Sequence, residues 1–354
     1  MDTITAEQLN ALPRDGYIMV DVKEIHDDLP PKRDVGDNIP YILYCRRGEI
    51  SAKIAEEWRE KGYNAVHLEG GYAQWVLSRV QVDNRVKIEE SIRKKFHKQI
   101  FSKFTKAIKA YQLVQEGDHI AVCISGGKDS MLMAKLLQEL QRHRQVSFSL
   151  TFLVMDPGYA PENRALIERN AANLGVPIEV FETDIFDSVA NVEKSPCYLC
   201  ARMRRGHLYA EAQNRGCNKI ALGHHYDDVI ETILMGMLYG SQVQTMMPKL
   251  KSKNFEDMEL IRPMYLVRER DIKHFQRYHD LHFLQCACRL TDSCSLDGAM
   301  FSKRTEIKQL IQELKKTNPD VECNIFNSVE NVHLGSIISY KRKDGEVVHF
   351  LDDY

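Results

Sequence analysis

The sequence predicts an α/β protein with two parallel-sheet modules in tandem, a small one over residues 1–84 and a larger one over 117–285. Three observations carry this reading. Short apolar runs bounded by turn residues recur in both stretches and alternate with segments of helical periodicity. In the larger stretch the apolar run Ile120 to Ile124 stops at Ser125-Gly126-Gly127-Lys128-Asp129-Ser130, and a helical pattern follows through Met131, Leu132, Ala134, Leu136 and Leu137. Between the modules, Ile92, Phe96, Ile100, Phe104 and Ile108 recur every four residues. That spacing draws one apolar stripe along a helix over 85–116. Residues 286–354 form a C-terminal region.

A chain of 354 residues suggests two or three domains, and a hydrophobic fraction of 44% is ample for real cores. The net charge of −2 leaves any attraction to nucleic acid to local basic patches. The sequence has no apolar run of about eighteen residues, and Met1-Asp-Thr-Ile-Thr is unlike a signal peptide. A soluble, cytoplasmic protein with no membrane partner is expected. Nine cysteines, an odd number in a long chain, argue against a disulfide framework and for metal or sulfur chemistry.

In the first module, Tyr17–Val22 and Tyr41–Cys45 read as buried strands, Ala52–Lys61 as an amphipathic helix, and Ala65–Leu68 as a further strand. Cys45 stands at a strand end, followed by Arg46-Arg47-Gly48-Glu49-Ile50-Ser51 and a helix. Backbone N–H groups, a helix dipole and two arginines would all favour a thiolate there. The segment resembles a single rhodanese domain, in its C-x-x-G-x-x-S loop and in Leu68-Glu-Gly-Gly-Tyr-x-x-Trp75. It departs from that pattern in being short. It also reads Asp21-Val22-Lys23 where Asp-x-Arg is expected, and the stretch before its second strand is contracted. The resemblance implies a sulfur carrier on Cys45; the alternative is a docking module with an idle cysteine.

On the expected linker helix, Arg93, Lys94, Lys95, Lys98, Lys103, Lys106 and Lys109 decorate the surface outside the stripe. Such a face can track a phosphate backbone, or it can be the solvated side of a helix docked by its apolar stripe.

In the larger module, strand, glycine turn and helix put free N–H groups and a positive helix end around an anion. Gly126 and Gly127 allow close backbone approach, Lys128 adds charge, and Ser125 and Ser130 add hydroxyls. This is not a Walker A loop, because Asp129 follows the lysine and the earlier glycine is missing. Strands at Ser147–Met155, Ile178–Phe181 and Lys219–Leu222 alternate with helices at about 161–174 and 200–214. Ligands of such a sheet bind at the carboxyl ends of its strands. That rule selects Gly223-His224-His225-Tyr226-Asp227-Asp228, whose aspartates could hold Mg2+ on a nucleotide, orient a substrate, or cap a helix. It also selects Asp156 for the adenosine or metal region. Cys197-Tyr-Leu-Cys200 precedes a basic helix (Arg202, Arg204, Arg205, His207), and Cys286-Ala-Cys288 and Cys294 follow later. These thiolates suffice for a closed tetrahedral zinc site, or for a cluster bound by three of them with one iron open. In the C-terminal region, residues 302–316 read as a basic helix (Arg304, Lys308, Lys315, Lys316). Its basic face could contact RNA phosphate or simply face solvent. Cys217 and Cys323 read as small core residues.

Ser125–Ser130 resembles the PP-loop of the ATP pyrophosphatase (HUP-like) superfamily, whose members cleave ATP between the α and β phosphates. Four segments together resemble the tRNA 2-thiocytidine synthetase family. They are Asp118 through Ser130, Cys197-x-Leu-Cys-Ala-Arg-x-Arg-Arg-Gly-x-Leu-Tyr209, Leu222-Gly-His-His-x-Asp-Asp228 and Ile261-Arg-Pro263. The similarity runs from about Lys106 to the end of the chain. It implies that ATP adenylates a cytidine of the tRNA anticodon loop, releasing pyrophosphate, and that sulfur then displaces AMP. It implies a [4Fe–4S] cluster on Cys197, Cys200 and Cys286, with Cys288 a rival because C-x-C stands where the family has C-x-x-C. It places Arg204 near the reacting centre and Lys128, Asp227 and Asp228 in catalysis. The nucleotide would lie on Ser125 through Ser130, Asp156, Gly223 and His224. A homodimer and a sulfur donor (cysteine desulfurase, thiosulfate or sulfide) complete the expectation. Two alternatives stay open: a PP-loop tRNA ligase or amidotransferase-type enzyme with structural zinc, and a sulfur-delivery adaptor without catalysis.

Overall fold

The chain begins with β1 (Thr3–Ile4), α1 (Ala6–Ala11), β2 (Ile18–Asp21), β3 (Tyr41–Tyr44), α2 (Glu49–Glu60), β4 (Ala65–Leu68) and α3 (Gly71–Arg79). The structure is a computed structural model that describes residues 2–13, 15–22, 25, 39–45, 48–79, 84–185, 196–283 and 303–353. At 49, 73, 77, 79, 196–198, 200, 201 and 353 it describes the backbone alone. These first elements form a parallel sheet in the order β1-β4-β3-β2. A capping box starts α1: Gln8 N donates to Thr5 Oγ1 at 3.2 Å, and Thr5 N donates to Gln8 Oε1 at 3.0 Å. Strand alternation sends Ile42 to one face with Leu9, Val66 and Trp75, and Tyr41 and Leu43 to the other with Ala55 and Trp58.

After α4 (Arg85–Arg93) and α5 (Ser102–Ala110) come β5 (His119–Ile124), α6 (Lys128–Arg142), β6 (Ser149–Asp156), α7 (Pro161–Leu174), β7 (Ile178–Glu182), α8 (Pro196–Asn214) and β8 (Lys219–Ala221). Beyond α9 (Tyr226–Gly240), the strands β9 (Lys249–Lys251) and β10 (Glu259–Ile261) complete a six-stranded sheet, and α10 (Glu269–Tyr278) follows. The order is β7-β6-β5-β8-β10-β9, parallel throughout except for β9. Pro161 opens α7, and Gly175, at φ +63°, closes it. There Val176 N donates to Ala171 O and Gly175 N to Ala172 O, a Schellman pair.

The single helix expected over 85–116 is divided. A π-helical turn, His97–Phe101, joins α4 to α5. Five-residue hydrogen bonds recur, from Phe96 N to Ser91 O at 2.8 Å, Phe101 N to Phe96 O at 3.3 Å and Leu113 N to Ile108 O at 3.0 Å. The apolar period explains this. Four residues turn an ideal α-helix by about 400°, so the stripe drifts about 40° with each repeat. Each wide turn takes up an extra residue and brings the stripe back. Ile92, Phe96, Ile100, Phe104 and Ile108 are all buried, in the same apolar cluster as β5 and α6. The segment is a layer of the core. Each such side chain contributes about 1.5–3 kcal/mol by burial.

One buried charge group crosses this seam. Glu89 of α4 accepts from Lys135 Nζ at 2.9 Å and pairs with Arg142, both on α6. Burial pushes its carboxyl up, but the bonds from Arg142 and Lys135 outweigh that and hold it at about 2.

By contact density the chain divides into two units, and α9 opens the second, which comprises 226–247 and 300–354. Besides α9 it holds α11 (Lys303–Thr317), α12 (Val321–Ser328) and a hairpin, β11 (Ser339–Lys341) with β12 (Val347–His349). Tyr226 stacks on Phe326 at 4.5 Å and donates its hydroxyl to Glu322 O at 3.2 Å. Among the described residues, no helix is long and apolar enough to cross a membrane.

Candidate active site

The six-stranded sheet reverses its order between β5 and β8: the chain runs outward through β6 and β7, then returns to the other side of β5. Such a switch point leaves a crevice at the carboxyl ends of the two strands. Residues 125–130 lie at one end and Gly223, His224 and His225 at the other. They are tightly packed. A Cβ on Gly223 would sit 3.1 Å from Ser130 N and 3.2 Å from the Asp129 carbonyl carbon, so a side chain there would press on the loop backbone.

The loop holds itself open. Gly126 takes φ +81°, Ser125 N donates to Ser130 Oγ at 3.1 Å, and Ser130 Oγ donates to Gly127 O at 3.0 Å. Gly127 caps α6 with no side chain bonded to the helix end. The first-turn N–H groups and the positive end of the dipole are therefore available to an anion. Lys128 Nζ rests 2.9 Å from Asp129 Oδ2 and 3.6 Å from Glu269 Oε1. Buried His225 brings Nε2 to 3.9 Å from Asp129 Oδ1. Neither Glu269 nor His225 was expected among the site residues. His225 lies inside the Gly223–Asp228 stretch and could have been named with it. Glu269, the first residue of α10, carries no local signal.

Asp156 is buried at the end of β6 and accepts from Gly158 N at 2.9 Å, Tyr159 N at 2.6 Å and Arg164 Nη1 at 3.3 Å. Its oxygens thus shape the loop after the strand. Arg204 of α8 donates from Nη2 to Tyr159 Oη at 3.4 Å, which puts it over that same loop. His224 lies beside Gly223, its N–H bonded to Leu222 O at 2.9 Å. Asp227 and Asp228 fall in the first turn of α9, in the second unit. Within that unit Arg304 Nη2 stands 3.4 Å from Asp228 Oδ1 and its Nε 3.0 Å from Glu231 Oε2. Arg304, expected to face RNA or solvent, therefore has carboxylate partners.

Helix α8 begins at Pro196, one turn earlier than expected, so Cys197 and Cys200 stand three residues apart in its first turn. That spacing places both positions on one face of the helix. Cys286, Cys288 and Cys294 lie outside the described residues, as do Arg46 and Arg47. Cys217 is a core residue beside Cys123, whose thiol burial pushes up to about 12. Cys323 is not: it is exposed on α12, where the helix turns position 323 outward.

In the first module, Cys45 is buried at the end of β3. Its Sγ accepts from Gly48 N at 3.2 Å and Ser51 N at 3.4 Å, and Ser51 Oγ donates to Gly48 O at 3.1 Å. Gly48 adopts φ +91° at the start of α2.

Both modules match known families. A PP-loop domain model matches residues 95–291, and a rhodanese-like domain model matches residues 10–78. The core is thus a PP-loop domain of the ATP-using α/β class. A tRNA-cytidine(32) 2-sulfurtransferase of Citrifermentans bemidjiense is 35% identical over 231 residues, covering 64% of this chain and 88% of that protein. A tRNA-cytidine(32) 2-sulfurtransferase 1 of Francisella philomiragia is 36% identical over 244 residues, covering 67% and 91%. The chain belongs to the tRNA-cytidine 2-sulfurtransferase family of PP-loop proteins, with a rhodanese-like module in front. The U34-tRNA thiolase NcsA of Methanococcus maripaludis, solved with its [4Fe-4S] cluster, shares the fold. The TM-score is 0.51 at 21% identity, over 65% of this chain and 76% of that one.

Proposed function

We propose that this protein is an ATP-dependent tRNA sulfurtransferase that converts a cytidine of the anticodon loop to 2-thiocytidine. The observation that carries the reading is the uncapped helix end at the switch point, with Lys128 beside it, in a chain whose relatives are tRNA-cytidine 2-sulfurtransferases. The N–H groups at the start of α6, with Ser125 and Ser130, bind the ATP phosphates. Lys128 leaves Asp129 for the phosphates and stabilises the charge that develops as pyrophosphate departs. Asp227 and Asp228 hold Mg2+ or orient the base. Asp156 and Arg204 shape the adenosine and reacting-base sides.

Cytosine O2 attacks the α-phosphorus, the α–β bridging P–O bond breaks and pyrophosphate leaves. Sulfur at the sulfide level then attacks C2, the C2–O bond breaks and AMP leaves, with no change of oxidation state. Cys197, Cys200 and Cys286 (or Cys288) would hold a [4Fe–4S] cluster, which would supply Lewis-acid chemistry for the sulfide. Thiosulfate, a cysteine desulfurase or free sulfide would supply the sulfur, with Cys45 as carrier, and the protein would act as a homodimer.

The test is anaerobic purification with iron, sulfide and zinc quantified, beside ATP-dependent thiolation of a tRNA transcript. About four irons per chain, lost in Cys197→Ala and in only one of Cys286→Ala and Cys288→Ala, support the reading. Zinc without iron sinks it in favour of a ligase, and absence of AMP and pyrophosphate release sinks it in favour of an adaptor.

A further inference from the structure

The rhodanese-like module and the core lie in one compact unit, and Tyr72, whose N–H is bonded to Cys45 O, stands where they meet. Leu166 of α7 is buried in the module's own apolar cluster with Trp75 and Val76 of α3. At the edge of that contact stands His282, which follows α10. Its carbonyl accepts from Asn170 Nδ2 at 2.9 Å, fixing its backbone to α7. Its ring lies 5.6 Å from the Trp75 ring, and its Nδ1 is 3.5 Å from the Tyr72 hydroxyl, a long hydrogen bond. Asp280 Oδ1 lies 3.3 Å from Nε2, and in the tautomer with the proton on Nε2 the ring's Nδ1 accepts from Tyr72.

Tyr72 connects this histidine to the sulfur loop. Its N–H donates to Cys45 O at 2.9 Å, and its ring stacks on Tyr44 at 5.1 Å. One residue, through its N–H on one side and its hydroxyl on the other, thus links the main chain of Cys45 to a residue that stands four positions before Cys286 in the sequence.

We infer that Tyr72 and His282 are positioning residues that hold the Cys45 loop on the core, so that sulfur passes from module to core within one chain. The inference rests on the sulfurtransferase reading above. Thiosulfate loads Cys45: its thiolate attacks the sulfane sulfur, the S–S bond breaks, sulfite leaves and a persulfide remains. An acceptor thiolate of the core then attacks the outer sulfur, and Cys45 departs as thiolate. Release at the sulfide level takes two electrons, which an added dithiol supplies by closing to its disulfide. The pair acts on the second transfer alone, by fixing donor and acceptor in register.

Three rates test this in the full-length protein with dithiothreitol: sulfur transfer from thiosulfate to cyanide, tRNA thiolation from free sulfide, and tRNA thiolation from thiosulfate. In Tyr72→Phe and His282→Ala, thiolation from thiosulfate should fall about tenfold while the other two rates stay within about twofold. His282→Asn, whose side-chain oxygen can stand in for Nδ1, should recover most of the loss. Equal loss with sulfide, an unchanged thiosulfate rate, or a wild type that thiolates from sulfide but not from thiosulfate overturns the inference. A wild type that thiolates with neither donor fells the sulfurtransferase reading itself, a distinguishable result.

Discussion

The Cys45 loop and the Ser125–Ser130 loop are built alike and finished differently. Each leaves the carboxyl end of a parallel strand, turns at a glycine of positive φ and enters a helix. In the first, the N–H groups of Gly48 and Ser51 are already given to a sulfur atom of the chain. In the second, α6 starts with no side-chain cap, and its lysine is only parked on the neighbouring carboxylate. A loop that supplies its own anion-like atom suits a covalent carrier. A loop that leaves its donors available suits a ligand that comes and goes.

The largest test of this contrast is Lys128→Ala. It should lower thiolation from sulfide and from thiosulfate alike by at least about 100-fold, since a charge aimed at the transferring phosphates is lost. Sulfur transfer to cyanide should not change. Loss of the cyanide reaction as well would mean that the two loops do not work separately. Gly223→Ala comes next. Its Cβ would meet loop backbone at 3.1 Å, with no flexible side chain to give way. The strain should cost about 1–3 kcal/mol and raise the KM for ATP, read by thermal unfolding and pyrophosphate release. Gly48→Ala is the counterpart in the other loop. At φ +91°, with Leu68 O 3.1 Å from the new Cβ, it should cost about 1–2 kcal/mol. It should slow only the thiosulfate-dependent reactions.

Much of the fold was legible because parallel strands buried on both faces read as unbroken apolar runs, as Ala121 to Ile124 and Phe152 to Met155 do. The PP-loop was legible because its residues are contiguous and each has a local reason. Short edge elements escaped: β1, β9 and the β11–β12 hairpin have two or three residues each, too few to show a period. Glu269 escaped because only the tertiary fold brings α10 to Lys128. The break in the 85–116 helix was written in the stripe itself. A strict four-residue spacing cannot stay on one face of a 3.6-residue helix, and the π turn is how the chain resolves the conflict.

That seam also offers the gentlest test, because it loosens the core through a group far in sequence from both loops. His279 packs against Phe275 at 4.8 Å, and its Nε2 lies 2.6 Å from Ser91 Oγ of α4. Burial, with Lys95 nearby, holds its imidazole down at about 4 against an ordinary 6.5. Because the folded value is the lower one, the unfolded chain takes up the proton first. Stability is then full above pH 6.5 and drains as the pH falls towards 4, at about 1.4 kcal/mol per pH unit. Between pH 7 and 5.5 the loss should be about 1 kcal/mol, read as a fall in the urea midpoint. Glu89, whose own loss begins only below pH 4.5, does not contribute in that window. His279→Gln keeps a polar atom for Ser91 and removes the titration, so its midpoint should be nearly level over the same range. An equal fall in the variant would place the acid-sensitive group elsewhere, and the histidine would then be a packing residue of the seam and no more.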